Sequence, residues 1–82
     1  MKLLYAEDEI GMSEAVVDIL TYHKYIVDAV YDGADALAYA EAEQYDGIIL
    51  DIMMPKLSGL EVLEKLREKG NNTPILLLPA KA

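Results

Sequence analysis

The 82 residues contain no cysteine, which removes disulfides and thiolate metal sites from consideration. They contain no uninterrupted apolar run long enough to span a bilayer, and Glu7, Asp8 and Glu9 break any apolar stretch that would serve as a signal peptide. A cytoplasmic protein is the default expectation. Basic residues are few, 7 Lys and Arg against 15 Asp and Glu, and the net charge of -8 leaves no stripe of cations to neutralise phosphates. Direct nucleic-acid binding is therefore excluded, and cations or basic partners fit better. Neither a Gly-Lys-Ser/Thr phosphate loop nor a GxGxxG turn occurs, which excludes nucleotide chemistry. What is abundant is apolar: 54% hydrophobic residues with 27% charged, in a chain short enough for one domain of marginal stability.

The apolar residues are distributed as short runs separated by helical patterns. Lys2 to Ala6 reads as a strand that delivers Glu7, Asp8 and Glu9 to its carboxyl end. Glu9 suits the start of the following helix by its charge. That helix is expected over Ile10 to Tyr22, with Met12, Ala15, Val16, Ile19 and Leu20 on its inner stripe. His23 and Lys24 close it without the usual glycine, so one of them is expected in a left-handed conformation. His23 has no companion ligand and reads as a helix-end cation. Tyr25 to Tyr31 alternates as an edge strand, Asp32-Gly33 marks a turn, and Ala34 to Glu43 forms a thin alanine-rich helix. Ile48, Ile49 and Leu50 suit a strand buried in a parallel sheet, ending in Asp51, and a loop punctuated by Pro55 and Gly59 follows. Leu60, Leu63 and Leu66 mark a third helix with a Glu61 to Lys65 pair, Gly70 ends it, and Ile75 to Leu78 is a last apolar strand stopped by Pro79. This βαβαβαβ alternation predicts a right-handed, mostly parallel α/β sheet.

Open sheets of this class place ligand sites at the carboxyl ends of their strands. If the strands before Glu7-Asp8 and before Asp51 are neighbours, three carboxylates converge there. Such a cluster suits a hard cation such as Mg²⁺, and it makes Asp51 a candidate nucleophile toward a phosphoryl group. The bland alternative for Asp51 is a turn or helix-capping aspartate. A phosphatase-type second acid is absent, since position 53 is Met.

The segments Leu4-Tyr-Ala-Glu7-Asp8-Glu9, Ile49-Leu-Asp51-Ile-Met-Met-Pro55-Lys-Leu-Ser-Gly59 and Pro74-Ile-Leu-Leu-Leu together resemble the receiver (CheY-like) domain of bacterial two-component response regulators, over the whole chain. The resemblance implies a flavodoxin-like doubly wound sheet of strand order 2-1-3-4, with residues 1–82 a receiver domain that stops after its fourth strand. It implies that Asp51 accepts a phosphoryl group from the phosphohistidine of a sensor histidine kinase, and that Glu7, Asp8, Asp51 and the Met53 main-chain carbonyl surround Mg²⁺. The chain then acts as a phosphorelay acceptor, not an enzyme.

The departures from the family are specific. The family's hydroxyl residue at the end of the fourth strand aligns with Pro79, and its active-site Lys comes from a fifth strand; Lys81 is not its equivalent. Phosphoryl acceptance is accordingly expected to be impaired. The alternative expectation is a receiver-derived half-fold or engineered fragment that self-associates as a structural module, by pairing the Ile75 to Leu78 edge or exchanging elements in a domain-swapped dimer.

Overall fold

The computed structural model describes residues 1–79; Lys81 lies outside them. Its elements are β1 (Lys2–Ala6), α1 (Ile10–Tyr22), β2 (Ile26–Val30), α2 (Gly33–Ala42), β3 (Gly47–Asp51), α3 (Gly59–Glu68) and β4 (Ile75–Leu78). The strands form one parallel sheet in the order β2-β1-β3-β4. This is the flavodoxin-like arrangement, with β1 between β2 and β3.

Strand alternation sorts the side chains onto two unequal faces. Leu4, Ala6, Val30, Ile48 and Leu50 meet Ala36 and Ala40 of α2 and Val62 and Leu66 of α3 in a single buried cluster, with Ile75 and Leu77 packed at its margin. The small alanines of α2 let that helix lie close over β1. On the opposite face α1 packs mainly against β2. Leu3 and Tyr5 are buried there, but Ile49 is only partly covered and its register partner Leu76 is 58% exposed. The unbroken apolar runs of β3 and β4 thus overstate burial: β3 is buried on one face and partly covered on the other, while in β4 Ile75, Leu77 and Leu78 are half-buried and Leu76 is exposed.

The helix faces also differ from the sequence expectation. In α1 the inward residues are Ser13, Val16, Val17 and Leu20, while Met12, Ala15 and Ile19 are exposed. In α3 the buried stripe is Gly59, Val62 and Leu66; Leu60 is exposed and Leu63 half-buried. Both helices carry apolar residues on a flank as well as on the inner stripe, so periodicity alone selects a rotated face. The Asp32-Gly33 pair is not a separate turn but the start of α2, with Asp32 capping the Asp35 N–H at 2.8 Å.

The exits of α1 and α3 use the same closure with different residues. After α3, Gly70 takes φ 78° and its N–H reaches Arg67 O while Asn71 N–H reaches Leu66 O. After α1, Lys24 takes φ 70°, with Lys24 N–H on Thr21 O and Tyr25 N–H on Leu20 O. Both are Schellman closures, which favour glycine at the left-handed position. Lys24→Gly should therefore stabilise the protein by about 0.5–1 kcal/mol, the relief of left-handed strain less the added freedom of glycine in the unfolded chain. Urea unfolding measures it, and a loss of stability would contradict the strain argument.

At the amino edge of the sheet Tyr45 Oη donates to Asp28 Oδ2 at 2.6 Å, and Lys2 Nζ lies 3.9 Å from the same oxygen and 5.1 Å over the Tyr45 ring. Lys2 also pairs with Glu43, which raises its pKa. Burial, and then the bond to Asp28, push the Tyr45 hydroxyl above its ordinary 10.0. A raised folded-state pKa contributes stability that is fully present below about pH 10 and is lost as pH rises beyond it. Tyr45→Phe should cost about 1.5–2 kcal/mol at neutral pH, the scale of a hydrogen bond to a charged group. It should also remove this residue's share of the alkaline loss, so the wild-type and variant unfolding curves converge above pH 10. A constant gap across pH would contradict it.

Candidate functional site

The parallel register of β1 and β3 pairs Ala6 with Leu50, so the next residues, Glu7 and Asp51, stand side by side at the carboxyl end of the sheet. Asp8 follows on the loop into α1. One carboxylate oxygen from each of Glu7, Asp8 and Asp51 lies within 4.8 Å of the other two. Glu7 and Asp51 are 1% and 4% exposed, and Asp8 opens to solvent. Two ionised carboxylates at this separation repel by roughly 1–3 kcal/mol for effective dielectrics between water and a protein surface. The donor set is all oxygen, anionic and open on one side, which fits a hard divalent cation that keeps part of its water shell.

Backbone bonds hold each member in place. Glu7 continues the β1–β2 ladder through its N–H to Val30 O at 3.1 Å, and its carboxylate accepts the Glu9 N–H at 3.1 Å. Glu9 is the N-cap residue of α1 but caps with no side-chain bond, so its contribution is this amide. Asp51 ends β3 opposite Leu78, and the Ile52 N–H donates to Leu78 O at 3.1 Å. The chain then turns back: Gly59 N–H donates to Ile52 O at 2.9 Å, which sets the start of α3 directly against the Asp51 backbone.

The loop between Asp51 and α3 carries Met53, which is 64% exposed, and it is tied at both ends. At the α3 end, Ser58 and Glu61 form a reciprocal capping box, with Glu61 N–H on Ser58 Oγ at 3.1 Å and Ser58 N–H on Glu61 Oε1 at 3.0 Å. The bond from Ser58 holds the Glu61 carboxyl below its usual range. The S-x-x-E spacing of Ser58 and Glu61 is a capping-box signature in the sequence, and the i,i+4 spacing of Glu61 and Lys65 competes with it as an explanation of Glu61. In its middle, the loop rests on the start of α2, where Gly33 N–H donates to Pro55 O at 3.1 Å and Lys56 Nζ lies 3.6 Å from Asp32 Oδ2.

Of the residues singled out in the sequence, Glu7, Asp8 and Asp51 come together, and Met53 lies two positions beyond Asp51. Pro79 follows the register partner of Asp51 and brings neither a hydroxyl nor an N–H. His23 sits at the end of α1, exposed, with its ring edge-on to Tyr22, and takes no part in the acidic cluster. A polar cleft of about 450 Å³ bordered by Glu43, Tyr45, Lys69, Asn71 and Thr73 opens at the other end of β3. Among the described residues it gathers no comparable set of ligating groups, so the chemistry falls to the carboxylates.

Residues 3–82 match the family described as response regulator receiver domain. The chain belongs to that family. Transcriptional regulatory protein DltR of Streptococcus agalactiae is 48% identical over 82 residues, a match that covers 100% of this chain and 37% of that protein. The chain thus spans little more than a third of that relative's length. Response regulator TrrA of Thermotoga maritima, solved in complex with Mg(2+)-BeF, superposes with a TM-score of 0.90 at 36% identity, covering 99% of this chain and 70% of that one. The structure of histidine kinase ThkA in complex with TrrA matches with a TM-score of 0.89 at 36% identity, again covering 99% and 70%. Among the described residues no helix is long and apolar enough to cross a membrane.

Proposed function

We propose that residues 1–82 are a receiver unit of a two-component phosphorelay in which Asp51 accepts a phosphoryl group from the phosphohistidine of a sensor histidine kinase. The observation that carries this reading is the meeting of Glu7, Asp8 and Asp51 within 4.8 Å in a chain of the receiver family. In the transfer an Asp51 Oδ forms the new bond to phosphorus as the bond from phosphorus to the imidazole nitrogen breaks, and that nitrogen keeps the electron pair. Glu7, Asp8, Asp51 and the Met53 main-chain carbonyl are the residues that would hold Mg²⁺. When bound, Mg²⁺ offsets the repulsion among the acids and neutralises charge on the phosphoryl oxygens. Glu7 is kept in position by the Glu9 N–H, and the Asp51 backbone by α3. The Mg(2+)-BeF complex of TrrA and its complex with a histidine kinase support the cation and the partner. The reading includes a cytoplasmic location, an acceptor and not an enzymatic role, and no direct nucleic-acid contact by this segment.

Acceptance is slow in this reading, because Pro79 brings no hydroxyl to the phosphoryl oxygens. One missing donor of this kind costs roughly 3 kcal/mol by analogy with an oxyanion hole. Intact-mass measurement after incubation with acetyl phosphate and Mg²⁺ tests it: slow, substoichiometric addition of one phosphoryl group supports the reading, and complete resistance overturns it.

A second reading is favoured by the edge of the sheet. Among the described residues β4 pairs only with β3, and Leu76 is exposed on it. An open apolar edge with free N–H and C=O groups is a template for a second copy. Sedimentation of the wild type against Leu76→Lys tests self-association; a wild type that remains monomeric at tens of micromolar overturns it.

A further inference from the structure

The loop from Ile52 to Ser58 is short, follows Asp51 directly, and contains Lys56 at φ 71°, a left-handed conformation that lysine rarely adopts. Nothing in the local sequence asks for a residue with a Cβ there, and the backbone would be relaxed by glycine. The strain is held in place by contacts to a different element. Gly33, the first residue of α2, donates its N–H to Pro55 O at 3.1 Å, and the fit is so close that a Cβ on Gly33 would fall 2.0 Å from Leu57 O. Asp32 divides its carboxylate between two tasks: Oδ1 caps the Asp35 N–H at 2.8 Å, and Oδ2 faces Lys56 Nζ at 3.6 Å. The cap, and then Lys56, keep the Asp32 carboxyl below its ordinary range, so the charge needed for the pair is maintained.

We propose that Lys56 is a positioning residue for the acidic site: its ion pair with Asp32 fixes the loop on the start of α2 and thereby sets where the Met53 carbonyl stands relative to Glu7, Asp8 and Asp51. The inference rests on the reading that Met53 contributes its carbonyl to the cation site. Lys56 touches no reacting group itself; it acts through the backbone of the two intervening residues, Met54 and Pro55. Gly33 and Pro55 supply the fixed contact, and the Asp32–Lys56 pair adds a second tie on its solvent-facing side.

Charge and position predict opposite results here. As a cation near a cation site, Lys56 repels Mg²⁺, so by charge alone its removal tightens binding. As the residue that holds the loop, its removal weakens binding, because outer contacts that orient ligands affect metal affinity by up to about 10–100-fold. An exposed pair belongs below the low end of that range, and the expected rise in the dissociation constant is about threefold to tenfold. Stability separates positioning from general damage. Lys56→Gly removes the pair but relieves the left-handed backbone, so its melting temperature should be unchanged or raised while its affinity falls.

The experiment is a titration with Mg²⁺ alone, following the amide shifts of residues 7, 8, 51 and 53 in the wild type, Lys56→Gly, Lys56→Ala, Lys56→Arg and Asp32→Asn. Asparagine at position 32 retains the helix cap while losing the charge. Weaker binding in Lys56→Gly, Lys56→Ala and Asp32→Asn, recovery in Lys56→Arg, and a Lys56→Ala/Asp32→Asn double variant no weaker than either single one support the proposal. Amide shifts of residues 52 to 54 that change in metal-free Lys56→Ala support it independently of binding. Unchanged or tighter binding in Lys56→Gly and Lys56→Ala overturns it, as does failure of Lys56→Arg to recover. A wild type whose shifts do not respond to Mg²⁺ overturns the cation site itself, a distinct failure that carries this inference with it.

Discussion

Asp51→Asn is expected to abolish phosphoryl acceptance completely and, without Mg²⁺, to raise the stability of the protein by about 1–2 kcal/mol. The loss follows from chemistry: an amide is not a nucleophile toward phosphorus, and the neighbouring Glu7 and Asp8 enter the site from β1 with their own backbone constraints. The gain follows from electrostatics. Asp51 is 4% exposed beside Glu7 at 1%, with their oxygens within 4.8 Å, and removing one charge from a like-charged pair relieves repulsion on the scale given by the separation. The side chain is of nearly the same size, so packing changes little. Mg²⁺ stabilises the wild type by binding the folded state, and the increment grows with the logarithm of its concentration over the dissociation constant. The variant, one carboxylate poorer, should show a smaller increment. Thermal unfolding of both proteins with and without Mg²⁺ measures all of this. A variant less stable than the wild type in the absence of metal would mean that attractive contacts to Asp51 outweigh the repulsion.

How much of this site was legible before the structure depends on how local each feature is. Asp51 stands out because an apolar run ends in an acid and a Pro/Gly loop follows, a pattern confined to about a dozen neighbouring residues. The approach of Glu7 and Asp8 needed only the strand order, which the motif-level resemblance supplied and the β2-β1-β3-β4 sheet confirms. The helix faces were harder. Met12, Ala15 and Ile19 repeat at helical spacing as well as Ser13, Val16, Val17 and Leu20 do, and only contact with β2 decides between them. Ser13 is buried although a serine argues for the surface. Val62 was hidden among leucines in the same way. The contact of α2 with the Pro55–Lys56 loop was not legible at all. Asp32-Gly33 reads locally as a turn, nothing in the sequence singles out Lys56, and their meeting depends on tertiary placement.

The glycines make the same point with the largest stability effect. Gly59 has no unusual backbone angle to justify it, and as the first residue of α3 it is in a place where alanine is locally preferred. Yet a Cβ built there lies 2.4 Å from the Asp51 carbonyl oxygen and 3.1 Å from Ile52 Cα, and these are backbone atoms that cannot rotate aside. Gly59→Ala must therefore push α3 away from β3 or bend the loop that leaves Asp51. The cost should be about 3 kcal/mol, the upper part of the usual range for overpacking. That lowers the folding equilibrium constant more than about a hundredfold, and a domain this small has little stability to lose. Gly11 is the control: it lies in α1 with nothing within 4 Å of its Cβ position, so Gly11→Ala should stabilise by about 0.5–1 kcal/mol through helix propensity. Urea unfolding of the two variants reads the contrast directly, and the amide of Asp51 reports whether the strain reaches the site. Gly59→Ala unfolding like the wild type, with that amide unmoved, would show that α3 can shift at no cost and that its seat against Asp51 is not a constraint on the acceptor.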